Sequence, residues 1–317
     1  MSDGIHLLIP FASCRAEGCR QVLDHLVLPR LEALLSRLSP EPAALGDEAS
    51  LSTPHERVLA RELGMPVVDG QIPLAAWQAR QAGLPGHESA WARLTPSLWR
   101  VGSDHVALMP PGQLHLTEAE SRALLSVMRP FFEEDGIALW YQTPTSWLAK
   151  ADVFADFPAA SLDRVAGGKI DDWMPRTAQA RAVRRLQQEM QMLLYIHEIS
   201  EARERLGQPP VNSFWVSDTG TLGAEAREWP QGLQWADDLR EPALEGRWDA
   251  WAAAWVQLDA RAGSLIQDAL AASRPVTLTL CGERHSQSWS NARPRTLASR
   301  VSGWFDRVRA GTVLKNL

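Results

Sequence analysis

Cysteine is scarce in this chain. Its 317 residues include three, Cys14, Cys19 and Cys281. An odd number without framework spacing excludes a disulfide scaffold and fits a reducing compartment. Long apolar runs are missing too: none approaches the ~20 residues that a membrane-spanning helix needs. The opening Met1-Ser2-Asp3-Gly4-Ile5-His6 has neither the basic stretch nor the apolar stretch of a secretory signal. The cytoplasm is therefore the expected location, with no membrane partner. A basic excess is also lacking. The net charge is −6, which speaks against a general nucleic-acid binder. Asp218-Thr219-Gly220 is the one Asp-Thr-Gly in the chain, so the paired carboxylates of an aspartic protease are excluded. No Gly-Lys-Ser/Thr follows that turn, so it is not a P-loop.

What is present is ordinary globular composition, 45% hydrophobic and 22% charged, enough for a large core without staples. The departure is tryptophan, 14 against 2 tyrosines. An indole buries a large apolar area and keeps one donor. A tryptophan-rich core is the plain expectation; an aromatic ligand cleft or a protein-interaction scaffold is the alternative.

Residues 5–11 form a short apolar run, expected as a buried strand. Residues 21–38 have helical spacing, split or kinked at Pro29. Residues 39–53 are rich in Pro, Ala and Ser and predict a loop. Thr53-Pro54 with Glu56 predicts a helix start, as does Thr117 with Glu120. A short helix is expected over 74–82, ending at Gly83. Residues 92–101 and 105–109 flank Gly102-Ser103-Asp104 and predict a hairpin; 137–142 predicts a strand. One long helix is expected over 176–206, then a strand over 211–217 entering a turn at Asp218-Thr219-Gly220. Residues 224–235 appear irregular in pattern. A helix over 248–272, a strand over 275–281 and a short helix over 297–308 complete the chain. Alternating strands and helices predict an α/β class, with a mixed, mostly parallel sheet flanked by helices. One domain over 1–317 is expected, with an N-terminal lobe over 1–90; the best candidate boundaries are residues 39–53 and 149–177.

Ligands in open α/β sheets bind at the carboxyl ends of strands. Asn212, Ser213, Trp215, Ser217, Asp218 and Thr219 stand at such an end in the expected layout, with Gly220 allowing close backbone approach. Trp99, Asp104 and His105 come from the hairpin, and Glu283 and His285 from the segment after the last strand. Together they make one expected ligand cleft. Asp104-His105 is also a metal-type pair, but a metal site needs further ligands that the spacing does not supply, and no metal or cofactor is expected. His197-Glu198 lacks the second histidine of a zinc helix, since Glu201 stands there. Cys281 is a nucleophile only beside an activating base. Arg293, Arg295, Arg300, Arg307, Arg309 and Lys315 give the tail a local positive excess.

Two stretches carry a family resemblance: Gly207-Gln-Pro-Pro-Val-Asn-Ser-Phe-Trp215 after the helix with His197, and Leu94-Thr-Pro-Ser-Leu-Trp-Arg-Val-Gly-Ser-Asp-His-Val106. Both resemble the RpfE-type regulatory proteins, often labelled phosphoglycerate mutase for a distant likeness to the cofactor-independent mutases. The resemblance covers most of the chain. It implies a distant likeness to the alkaline phosphatase fold and a regulatory or binding role. A phosphoryl-transfer enzyme with a degenerate metal site is the alternative. Many such proteins carry a Trp-Gly-Gly-Gly-like turn where this chain has Val216-Ser-Asp-Thr-Gly220. A cradle built from backbone tolerates that change; a catalytic side chain in the turn does not. A metal-dependent mutase also needs acidic ligands near the nucleophile after the first strand, and no acidic metal ligand leads into Ala12-Ser13-Cys14.

Overall fold

The computed structural model describes residues 4–178, 180–292 and 309–317. The chain divides into two compact units, residues 50–227 and the two flanking segments. The first crossing, between Ala49 and Ser50, falls in the Pro-, Ala- and Ser-rich stretch.

The first unit begins with β1 (Ile5–Ile9), α1 (Glu17–His25), α2 (Pro29–Arg37) and the two-residue β2 (Ser39–Pro40). Pro29 splits the helical pattern by taking the first position of α2, where its missing N–H costs nothing. The chain then enters the second unit. There it forms α3 (Pro54–Glu62), α4 (Leu74–Gln81), β3 (Ala90–Ser97), β4 (Trp99–Val101), β5 (Val106–Leu108), α5 (Glu118–Glu134), β6 (Ala138–Thr143) and β7 (Ser146–Lys150). It continues through α6 (Leu162–Val165), α7 (Ala180–Tyr195), α8 (Glu198–Arg205) and β8 (Ser213–Thr221). Back in the first unit follow β9 (Leu233–Trp235), α9 (Arg240–Leu244), α10 (Trp248–Ala271), β10 (Val276–Cys281), β11 (Ser286–Ser290) and α11 (Ala310–Lys315).

The first unit holds a mixed five-stranded sheet in the order β2-β11-β10-β1-β9. β1 pairs parallel with β10 and β9; β10 with β11 and β11 with β2 are antiparallel. Its core packs α2 and α10 with the sheet through Leu31, Leu34, Leu35, Trp251, Trp255, Leu258, Ile266, Leu278 and Leu280. The buried positions of α10 recur in steps of three and four, giving one continuous apolar face. Asp259 on that helix caps α2, which lacks a side-chain cap of its own: its carboxylate accepts from the N–H groups of Arg30 (3.2 Å) and Leu31 (2.7 Å). Gly263 makes the close approach possible, since a Cβ there would lie 2.6 Å from that of Arg30.

The second unit holds an antiparallel sheet, β6-β7-β3-β8, and the hairpin β4-β5. Thr53 and Thr117 form the two expected capping boxes with Glu56 and Glu120. Helices α5 and α7 pack with this sheet through Leu124, Met128, Phe132, Val183, Leu186 and Met190.

The mixed α/β class with flanking helices holds, but among the described strands parallel pairing is confined to β1 and its two neighbours, so the sheets are not mostly parallel. The helix expected over 176–206 is two. His197 takes extended backbone between them, and its Nδ1 accepts from the N–H of Ile199 at 3.2 Å, capping α8. The segment expected to be irregular contains β9, and β7 and β11 were not foreseen; these short strands are made by their pairing. The helix expected over 297–308, with Arg293, Arg295, Arg300 and Arg307, lies outside the described residues. Lys315 is described, and pairs with Asp24.

Candidate functional site

β1 and β10 run in register from Ile5 opposite Val276 to Ile9 opposite Leu280, so their carboxyl ends coincide. The loop leaving β1 starts at Phe11, whose φ of 53° lies in the left-handed region that non-glycine residues avoid. Two indoles of α10 hold it there. Trp251 Nε1 donates to the Phe11 carbonyl at 3.0 Å, and Trp255 Nε1 to that of Ala12 at 3.3 Å. The Ala12 N–H donates to the Cys281 carbonyl at 2.8 Å. These two tryptophans therefore serve the loop as well as the core.

Past this clamp the loop opens to solvent. Ser13 is buried, Cys14 half-buried and Arg15 exposed. The Arg15 N–H donates to Glu283 Oε2 at 2.8 Å, and its guanidinium pairs with Glu48. Glu283 lies in the turn joining β10 to β11, closed by Gly282 N–H to the His285 carbonyl at 2.9 Å. His285 Nδ1 accepts from the Gly46 N–H at 3.2 Å, fixing that nitrogen as the unprotonated one. Cys14 faces Cys19 in the first turn of α1. The Cys14 thiol donates to the Cys19 sulfur, and with burial this pushes the Cys14 thiol well up. The same bond lowers Cys19, against burial.

In the second unit the residues around β8 are engaged with the protein itself. Asn212 Oδ1 accepts from Trp99 N–H at 2.8 Å and its Nδ2 donates to Trp99 C=O at 3.0 Å, extending the sheet where β3 ends. Ser213 and Ser217 are buried. Trp215 donates to the Ala160 carbonyl at 2.9 Å and packs with Trp99 at 6.3 Å between ring centres. Thr219 is buried, its hydroxyl shared between the carbonyls of Gly70 (3.0 Å) and Phe157 (2.5 Å).

The expected turn at Asp218-Thr219-Gly220 is a β-bulge within β8. Trp91 opposes Gly220 and Arg93 opposes Ser217, leaving Asp218 and Thr219 against one residue of β3. Asp218 has a φ of 57°, and its carboxylate accepts from Arg93 Nε at 2.6 Å. Arg93 also donates to Ser146 Oγ (2.8 Å) and Gln78 Oε1 (2.9 Å). The signature segment is thus a largely buried edge strand of an antiparallel sheet rather than the carboxyl end of a parallel strand. Asp104 and His105 form a 2.7 Å pair at the tip of the β4-β5 hairpin, with Asp104 exposed. The expected cleft residues accordingly divide: Glu283 and His285 belong to the first unit, the others to the second.

A half-buried polar group in the second unit, Glu56, carried no signal beyond a cap. Glu56 accepts from Ser161 Oγ at 2.5 Å and from Thr53 N–H at 2.8 Å. Burial pushes its carboxyl up, and the charge of Asp218 adds to this. Beside it His55 Nε2 meets Asp163 Oδ2 at 3.1 Å, both largely buried.

An alkaline-phosphatase-type centre needs metals held by Asp and His clusters. Among the described residues no three His, Cys, Asp or Glu side chains gather as such a set. Asp104 and His105 pair on their hairpin without a third such side chain among the described residues, so those residues do not fit that centre.

No family model matches the chain, and no curated protein matches it. Among solved structures it is similar to the cofactor-independent phosphoglycerate mutase from Thermoplasma acidophilum, with 12% identity and a TM-score of 0.37 over 99% of both chains. It is also similar to the PH0037 protein from Pyrococcus horikoshii, with 11% identity and a TM-score of 0.45 over 99% of this chain and 96% of the other. The likeness is distant; the α/β class rests on the strand pairing and helices described above.

Proposed function

We propose that this chain is a cytosolic regulatory or binding protein of the RpfE type, which recognises a small polar ligand at the carboxyl ends of β1 and β10. The observation that carries the reading is the clamped loop. Phe11 sits in a strained conformation held by two indole donors, and beyond it Arg15, Glu283 and His285 bring polar groups to the exposed end of a parallel strand pair. Strain kept at a strand end by buried donors is a feature of binding sites, because it fixes backbone groups before the ligand arrives. The family assignment is supported by the two sequence stretches quoted above, and a reducing compartment by the three free cysteines. No described helix is long and apolar enough to cross a membrane.

Thermal unfolding of the full chain against a panel of small polar metabolites tests this. A ligand that raises Tm in the natural protein and in Asp104→Ala, but not in Glu283→Ala, is the expected result. A stabilising ligand whose effect survives Glu283→Ala sinks the site. Metal-dependent phosphatase or mutase turnover that is lost in Asp104→Ala replaces the binding role with the enzymatic one.

A further inference from the structure

β3 and β8 present two different faces. Leu94, Phe214 and Val216 turn to the apolar core that α5 and α7 share. The opposite face carries Thr95, Ser97, Ser213 and Trp215. Thr95 stands opposite Trp215 and Ser97 opposite Ser213, and residues directly across an antiparallel pair share a face. Trp99 joins them, its ring 6.3 Å from that of Trp215 in one apolar cluster with Leu108, Val165 and Ile170. Thr95 and Ser213 have no exposed surface, and Trp99 keeps 7%. Two polar groups of this face are matched within the protein. Ser97 Oγ donates to the Thr95 carbonyl at 2.7 Å and Trp215 Nε1 to the Ala160 carbonyl at 2.9 Å. Three others are not: Thr95 Oγ1, Ser213 Oγ and Trp99 Nε1 are buried without a hydrogen-bond partner among the described residues. A buried polar group left unpaired keeps its full desolvation penalty, so such groups are rare and call for a partner. Thr95 and Ser213 are diagonal neighbours across the ladder, about 7–8 Å apart at the backbone and less at the side chains. One small molecule bonded to both hydroxyls spans that distance.

We propose that Thr95 Oγ1, Ser213 Oγ and Trp99 Nε1 together bind one ordered water molecule inside the second unit. The three groups select water by their chemistry. An indole N–H only donates, whereas each hydroxyl donates or accepts. The occupant must therefore accept from Trp99 and adapt to both hydroxyls. Water has two donors and two acceptor sites, and three hydrogen bonds are what an interior water typically makes. The trio carries no charge to balance an anion, and the indole N–H turns its positive end toward a cation. Thr95 and Trp99 belong to one of the two stretches that carry the family resemblance, and Ser213 to the other. The water thus links the two stretches beside the bonds that Asn212 makes to the Trp99 backbone. The site lies in the second unit, whereas the strand ends proposed for ligand recognition belong to the first, so the two readings fail independently.

A crystal structure of the full-length natural protein tests the site directly and needs no variant to fold. The expected result is one water peak within about 3.2 Å of all three atoms. No peak there, or one that reaches fewer than the three, overturns the proposal. Thermal unfolding gives a second reading, because the sign of the effect discriminates. Valine has nearly the shape of threonine without its hydroxyl. With the water bound, Thr95→Val removes one of its partners, and Tm is expected to fall by about 2–4 °C. With Thr95 Oγ1 simply unpaired, the same change relieves an unmet polar group, and Tm holds or rises. That second result overturns the site. Ser213→Ala is expected to lower Tm less in the Thr95→Val background than in the natural protein, since both act through one water. Equal losses in the two backgrounds overturn the sharing.

Discussion

Glu56 closes the capping box of α3 while half-buried. A helix start ordinarily favours a charged carboxylate. Here burial, with the neighbouring charge of Asp218, wins and raises the carboxyl above its ordinary 4.5. A raised acid binds a proton more tightly folded than unfolded. Its contribution to stability is therefore full below the unfolded value and is lost as pH rises through the folded one. Glu56→Gln keeps an acceptor for Thr53 N–H and presents a donor to Ser161, as the protonated acid does. The stability of the natural protein relative to Glu56→Gln is expected to fall as pH rises above 4.5, measured by urea unfolding at a series of pH values. A flat difference refutes the assignment. Asn212 gives a second prediction at this scale. Its amide donates to the Trp99 carbonyl, and Asn212→Asp turns that contact into two facing acceptors. A loss of about 2 kcal/mol at neutral pH is expected, on the scale of a buried polar group left unmatched; chemical denaturation checks it.

At the scale of elements, the bulge in β8 is the feature that most changed meaning. Asp, Thr and Gly are turn residues because they tolerate unusual backbone, and a bulge uses the same tolerance without leaving the sheet. Asp218 supplies the left-handed residue and, from that position, the partner of Arg93. The two roles separate by substitution. Asp218→Gly loses the ion pair but accepts the φ, whereas Asp218→Ala loses both. Asp218→Ala is expected to be less stable than Asp218→Gly by about 1 kcal/mol. Equal denaturation midpoints would show that the backbone there is unstrained. The break between α7 and α8 has a related origin. His197 lies in a run whose spacing reads as one helix, yet its side chain caps α8 in competition with the helical backbone.

For the whole molecule, residues 50–227 form one contiguous compact unit, while the other unit is assembled from the chain before and after it. Both ends of the contiguous unit are tied inward. Asp69 accepts from the N–H groups of Leu51 and Ser52, and Arg227 N–H donates to the Leu63 carbonyl at 2.7 Å. Trp77 Nε1 also donates to the Arg227 carbonyl, at 2.8 Å. A fragment of residues 50–227 is therefore expected to unfold in one cooperative transition with a dispersed amide spectrum. A fragment without a thermal transition would show that the unit depends on the flanking segments. Seven of the described tryptophans are buried, among them Trp91, Trp147, Trp251 and Trp289, so most of the indole surface serves the interiors of the two units.

The sequence by itself determined the elements whose signals are local. Thr53 and Thr117 cap helices because each finds its partner three residues on. Pro29 divides two helices because its ring forbids one, and α10 forms because its apolar face repeats over 24 residues. Those forces act within a few turns of chain and can be read there. Only the tertiary structure decided the rest. β9 is three residues without a pattern of their own, made a strand by pairing with β1 more than 220 positions away. Glu56 is raised because residues distant in sequence exclude water from it. The loop after β1, Phe-Ala-Ser-Cys in the sequence, gains its strained backbone from two indoles of α10. Pairing and burial are properties of distant segments brought together, and no window along the chain contains them.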